Sequence, residues 1–272
     1  MNYSLTLVCY MLYLSSMDRH KVQKINYLLK SWRKGVVAVS PWLRKQGVSR
    51  QLVDTYEKSA WIKPLGHGAY TRLDEKVDWT GGVYALQEQL NLPVHVGGRT
   101  ALQMQGNVHF IPLGQGSPVF LFGRKRFLPV WFRQHPWQDP VRYVYTNYFP
   151  YKEGFGLTKQ DMGTYAVTLS SREMAILEVL YLVGSKYETY EHAVLLMEGL
   201  STLRPALVQA LLEKCCSIKV KRSFMYLAEH FNHPWVKHLN VSKVDLGKGK
   251  RVIAEGGQFD AKYQISVPKI DL

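Results

Sequence analysis

The stretch SPWLRKQGVSRQLVDTYEKSAWIKPLGHGAYTR, residues 40–72, constrains the fold more than any other part of the chain. Ser40-Pro41 starts a helix, with the serine as its cap and the proline in the first turn, where a missing N–H costs nothing. Trp42 and Leu43 give that short helix its apolar side, and Gly47 breaks it after Gln46. Ser49 caps a further helix, RQLVDTYEKS, with Leu52, Val53 and Tyr56 on one face and Arg50, Gln51, Asp54, Thr55 and Lys58 on the other. Two helices joined by a tight glycine turn make a helix-turn-helix. WIKPLGHGAYTRL then fits two strands joined by Gly66-His67-Gly68, whose glycines accept the positive φ angles of a tight hairpin. A hairpin at that place turns the motif into a winged helix. Its first helix begins at Asp18, where Val22, Ile25, Leu28, Leu29 and Trp32 recur at spacings of three and four until Gly35, and the β-branched run VVAV follows.

In such a module the second helix of the pair enters the major groove. Arg50 and Gln51 can each make bidentate hydrogen bonds to base edges, and Lys58 suits a phosphate. Ser49, Asp54 and Thr55 complete the polar face, and Lys63, His67 and Arg72 of the wing would rest on the backbone. The same pattern would also serve a module that makes only protein contacts. Charge favours the nucleic acid. Residues 1–72 hold 12 Lys/Arg against 3 Asp/Glu, residues 73–203 hold 11 against 12, and residues 204–272 hold 12 against 6. Basic ends therefore flank a neutral middle, a distribution that suits a polyanion through phosphate neutralisation and counterion release.

Residues 1–16, MNYSLTLVCYMLYLSS, are an apolar segment too short to cross a bilayer, with no preceding positive charge. MDRHKVQKINYLLKSW, from Met17, reads as a natural beginning, so the upstream piece is expected to be a leader or a misassigned start. No other stretch is apolar enough to span a membrane, and no membrane partner is expected. Three cysteines, Cys9, Cys215 and Cys216, form no CxxC pair and no even disulfide framework, which fits a reducing cytoplasm.

Beyond the hairpin, Asp78 caps a helix running to about Leu90, LPVHVGG is a strand entering a turn, and RTALQMQG is a helix. Amides at Gly97, Gly98 and Thr100 then lie at a helix N-terminus, where an anion can bind, although neither GxGxxG nor GxxxxGK[ST] spacing is present. Residues 108–170 are β-rich, with PVFLFG, PVWFR, VRYVYTNYF and TYAVTLSS as strands. Arg124, Lys125 and Arg126 interrupt them as a solvated turn that would also extend a DNA track. Ser171 begins a strongly apolar helix, and helices follow over about 190–200, 205–215 and 218–231. Lys219, Lys221 and Arg222 on the last of these, with Lys248, Lys250 and Arg251 in a terminal hairpin, form a candidate second basic surface.

Catalytic signatures are missing. His230, His233 and His238 are the sharpest metal candidates, but HExxH is absent and Pro234 ends the helix between them, so no metal and no cofactor are expected. There is no G-x-S-x-G elbow, and Gly184-Ser185 lacks the downstream acidic pair of a nucleotidyl transferase, having only scattered Glu188 and Glu191.

The segments INYLLKSWRKGVVAVSPWLRKQGVSRQLVDTYEKSAWIKPLGHGAYTR, HVGGRTALQMQG, REMAILEVLYLV, LLMEGLSTLRPALVQALLE and VKRSFMYLAEHFNHPWVKHL together resemble the AbiEi antitoxins of type IV toxin-antitoxin systems, from about Met17 to Pro268. The resemblance implies an α+β chain. An N-terminal winged helix-turn-helix (17–75), with recognition helix Ser49–Lys58 and wing Ile62–Arg72, precedes a larger mixed α/β antitoxin domain (76–272) with a helical C-terminal part. It implies a cytoplasmic regulator without catalytic residues that binds repeats in double-stranded promoter DNA and represses its operon. It also implies a nucleotidyltransferase-like toxin encoded in the same operon, countered by the larger domain, in abortive infection by phage. The alternatives are an enzyme acting on nucleotides or nucleic acid with a winged-helix targeting domain, which converging acidic side chains would support, and a transcription regulator without a toxin.

Overall fold

The three-and-four spacing of Ile25, Leu28 and Trp32 produces a helix over residues 23–31 (α1), whose apolar side is buried. A computed structural model describes residues 23–106, 117–149, 154–253 and 257–269. The leader expected over 1–16, the start at Met17, residues 18–22 of the first helix and the opening 108–116 of the β-rich region lie outside the described residues.

After α1 come β1 (Ala38–Val39), α2 (Ser40–Lys45), α3 (Arg50–Lys58), β2 (Ile62–Gly66) and β3 (Ala69–Arg72). The strands form an antiparallel sheet in the order β1-β3-β2. Ile25, Leu28, Trp32, Leu43, Val53, Tyr56 and Ile62 close one core between helices and sheet. Gly47, at φ 76°, turns the chain between α2 and α3, a conformation costly for a residue with a Cβ. The Ser40 cap is corrected: the helix begins at Ser40 itself, and its hydroxyl donates to the Gly68 carbonyl at 3.3 Å, tying α2 to the hairpin turn.

Asp78 caps α4 (Trp79–Tyr84) by accepting from the Thr80 and Gly81 amides at 2.8 and 3.2 Å, and a π-helical turn, Ala85–Gln89, continues it. Gln89 is buried against the outer edge of β1, where its Oε1 accepts from the Val39 amide at 2.9 Å and its Nε2 donates to the Val37 carbonyl at 2.8 Å. One side-chain amide thus completes an edge that would otherwise bury unpaired backbone.

The first compact unit takes the chain up to Asn91 together with Pro129–His135 and Gly163–Tyr165. PVWFR, expected as a strand, is the short helix α6 (Val130–Gln134) of this unit. Pro129 leads the chain into the turn, and its carbonyl accepts from the Phe132 and Arg133 amides. Trp131 lies against Gly66 so closely that a Cβ added there would come within 2.9 Å of the tryptophan's own Cβ.

The second unit, Leu92–Leu128, Pro136–Met162 and Ala166 onward, is built on a mixed five-stranded sheet. Its strands are β4 (Val94–Val96), β5 (Val119–Gly123), β6 (Val141–Tyr145), β7 (Leu157–Asp161) and β8 (Ala166–Ser170), in the order β6-β5-β4-β8-β7. Pairs β4-β8 and β5-β6 are parallel; β4-β5 and β7-β8 are antiparallel. The α5 helix (Gly98–Met104) follows β4, and α7 (Arg172–Leu182), capped by Ser171, follows β8 and is buried on almost every side. Helices α8 (Tyr190–Glu198), α9 (Pro205–Lys214) and α10 (Ile218–His230) come next. The expected terminal hairpin is the pair β10 (Gln258–Asp260) and β11 (Ile265–Val267), to which β9 (Arg251–Val252) adds a parallel third strand. The chain is therefore α+β, an N-terminal unit followed by a larger α/β part.

Candidate nucleic-acid interface

The α3 helix has one apolar and one polar side. Val53 and Tyr56 are buried, whereas Arg50, Gln51, Asp54 and Lys58 are exposed. Ser49 caps the helix, its hydroxyl oxygen accepting from the Leu52 amide at 3.3 Å. Thr55 is half-buried and donates its hydroxyl to the Gln51 carbonyl at 2.8 Å, one turn back. Both hydroxyls are therefore engaged with the backbone, and the longer Arg50, Gln51 and Lys58 side chains have the reach. Lys58 in the last turn complements the negative end of the helix dipole, and no acidic residue occupies the first turn.

In the hairpin, Ile62 pairs with Arg72, Lys63 with Thr71 and Pro64 with Tyr70, with a register shift before Gly66-Ala69. Lys63 and His67 are exposed, His67 beside Gly68 at φ 72°. Arg44 and Lys45, exposed at the end of α2, were not singled out from sequence, although a basic pair just before the glycine turn was the available signal.

Arg72 is a correction. Its guanidinium donates to the Leu29 carbonyl at 2.9 Å and to that of Trp32, lies over the Trp32 ring and pairs with Glu75 at 3.7 Å. The carbonyl end of α1 leaves acceptors without helical partners, and Arg72 satisfies them. It holds the hairpin to the first helix instead of pointing outward.

Half of the second basic surface is also corrected. Lys221 and Arg222 are only 3% and 2% exposed. The Arg222 guanidinium donates to the carbonyls of Leu246, Gly249 and Gln264. Half-buried Lys219 donates to the Tyr181 and Val183 carbonyls at 3.1 and 2.8 Å, closing the end of α7, and its burial lowers the ammonium's pKa. Lys248, Lys250 and Arg251 are exposed as expected, and so are Arg124, Lys125 and Arg126.

The helix N-terminus at Gly97-Gly98, where an anion can bind, is occupied from within by a side chain. Glu178, fully buried, accepts from the Gly98 amide and the Ser170 hydroxyl on Oε2, both at 2.7 Å, while His95 Nε2 lies 2.7 Å from Oε1. A Cβ at Gly97 would sit 2.4 Å from that carboxylate, so the glycine makes room for it. Buried His233 has its Nε2 2.8 Å from the Met197 carbonyl, in a core contact. Among the described residues no group of three His, Cys, Asp or Glu is placed to hold a metal, and no helix is long and apolar enough to cross a membrane.

No curated protein matches the chain significantly. The crystal structure of the RV2827C protein from Mycobacterium tuberculosis is similar in fold, with a TM-score of 0.56 at 13% identity over 85% of each chain. The family profile described as the N-terminal domain of the AbiEi antitoxin transcriptional regulator matches residues 21–113. The profile described as a transcriptional regulator, AbiEi antitoxin, type IV TA system, matches residues 116–268. With both parts matched in order over nearly its whole length, the chain belongs to the AbiEi antitoxin family of transcriptional regulators of type IV toxin-antitoxin systems.

Proposed function

We propose that the first unit contains a winged helix-turn-helix that binds duplex DNA in the promoter of its own operon and thereby represses it. The observation that carries this reading is the exposed polar side of α3, with Arg50, Gln51 and Lys58 on a helix whose opposite side is fixed in the core. Arg50 and Gln51 read base edges, Lys58 and Lys63 neutralise phosphates, and His67 at the hairpin tip reaches the backbone. Ser49 and Thr55 set the helix at its contact face, and Asp54 accepts from a base amino group. The DNA-binding part lies within residues 17–75. Residues 76–272 counter a nucleotidyltransferase-like toxin encoded beside the gene, in the cytoplasm and with no catalysis of their own. Family membership in a type IV toxin-antitoxin system supports the toxin partner, and a role in abortive infection completes the proposal.

The test is binding of the purified protein to the DNA upstream of its gene, against scrambled DNA, over a range of salt. Arg50→Ala should relax sequence preference. Lys58→Ala should weaken all sequences alike and reduce the slope of log K against log salt by about 0.9. If both variants bind the upstream fragment as the parent does, α3 is not the reading helix.

A further inference from the structure

The loop Asp245–Arg251 and the sheet beside it combine features that no promoter contact uses. Arg222 is buried yet has no carboxylate partner among the described residues; its guanidinium is met by three backbone carbonyls, at 2.6 Å from Leu246 and Gly249 and 3.1 Å from Gln264. A buried cation ordinarily has a counter-charge. Here further positive charge gathers instead: Lys248, Lys250 and Arg251 are all exposed on the same loop.

Drawing the Leu246 and Gly249 carbonyls inward also shapes the loop backbone. Gly247 and Gly249 are left-handed, at φ 65° and 73°, with Lys248 between them on the ordinary side. Alternation of this kind turns successive amides toward one side and makes an anion-binding concavity. The Gly247 amide donates to the Asp245 carboxylate at 2.8 Å, whereas those of Lys248, Gly249 and Lys250 have no acceptor among the described residues. A Cβ on Gly249 would meet nothing within 4 Å, so the loop is open at that point.

Next to the loop, the register places Phe259 and Val252 on either side of Ser266, in one row across β10, β11 and β9. Ile265 and Val267 carry the buried side of that sheet; Phe259 is 41% and Val252 62% exposed. The Lys250 ammonium lies 4.9 Å from the centre of the Phe259 ring.

We propose that this face binds single-stranded nucleic acid, with a base stacked on Phe259 beside Val252 and the adjoining phosphates held by Lys248, Lys250, Arg251 and the loop amides. A duplex keeps its base faces inside the stack, where Phe259 cannot reach them; an unpaired strand offers them. An acidic peptide would answer the charge and leave the aromatic ring without a role. The site is independent of the promoter reading, since none of its residues lies in the first unit.

The experiment is fluorescence anisotropy of the full chain with labelled oligo(U) and oligo(dT), titrated in salt, with unlabelled polyglutamate as competitor and thermal melts as the folding control. Phe259→Leu, which keeps an apolar side chain without a π face, should weaken both strands on the order of tenfold, and Phe259→Trp should restore binding. Lys248→Gln with Lys250→Gln should reduce the salt slope by about 1.4, at ~0.7 per phosphate on a single strand. Preference for oligo(U) assigns the site to RNA and preference for oligo(dT) to single-stranded DNA. Strand binding that Phe259→Leu leaves unchanged, or that polyglutamate displaces as readily as unlabelled oligo(U), would overturn the proposal.

Discussion

Replacing Gln89 by leucine tests whether one side chain completes the sheet of the first unit. The glutamine is 7% exposed, and it pairs with the Val39 amide and the Val37 carbonyl, residues themselves 1% and 0% exposed. Leucine fills a similar volume without polar atoms, so both backbone groups lose a partner in a place closed to water. Each such loss costs about 1–3 kcal/mol. Allowing for the added apolar burial, the net expectation is roughly 2–4 kcal/mol, a large fraction of a domain's usual ~5–15 kcal/mol. Urea unfolding followed by tryptophan fluorescence would report it, because Trp32 and Trp42 lie in this unit and pack edge to face. The midpoint should fall at constant slope. Gln89→Glu sharpens the test. It keeps an acceptor for Val39 but sets a carboxylate oxygen against the Val37 carbonyl, and so should cost more than leucine at neutral pH. A loss under about 0.5 kcal/mol for leucine, or a glutamate variant as stable as the parent, would refute the reasoning.

Arg72→Ala should lower the unfolding midpoint by the equivalent of about 1–2 kcal/mol while leaving the salt slope of DNA binding unchanged; a reduced slope with unchanged stability would return Arg72 to the DNA. Glu173 accepts from the Arg204 guanidinium at 2.9 Å on both oxygens and from the Arg204 amide at 3.0 Å. Burial alone would raise its pKa, but the Arg204 side chain and amide, with help from Ser171, lower it from 4.5 to about 2. A depressed carboxylate stabilises the fold above its unfolded pKa and loses that contribution as pH falls through the folded one. Stability should therefore decline from about pH 5 toward pH 2, by roughly 2–3 kcal/mol after discounting for the exposed guanidinium, and Glu173→Gln should flatten that decline in melts run across the range. An unchanged acid limb in the variant would count against the pair.

Where the determinants are local, the sequence was a good guide. Serine caps at Ser49 and Ser171, the aspartate cap at Asp78 and the left-handed glycines at 47 and 68 lie within a few residues of what they control, and the helices and hairpin around them form where expected. PVWFR misled because a short β-branched and aromatic run suits a strand and a single helical turn equally. LTKQD, the strand β7, has only Leu157 as an apolar residue and carries no alternation to reveal it.

The polar face of α3 was legible because a helix separates its faces by a fixed period, and that period is written in the order of residues. The fate of the long cations was not. Arg72, Lys219 and Arg222 have the composition of surface residues, yet each ends on carbonyls that a distant segment left unpaired: α1 for Arg72, the end of α7 for Lys219, the Asp245–Arg251 loop for Arg222. Gln89 at the edge of β1 and Glu178 at the start of α5 follow the same rule. Local sequence thus determined which segments became helices and turns and which faces they buried. Only the tertiary structure decided which polar side chains stayed at the surface, because an unpaired backbone group and the side chain that satisfies it are neighbours in space, separated by tens of residues along the chain.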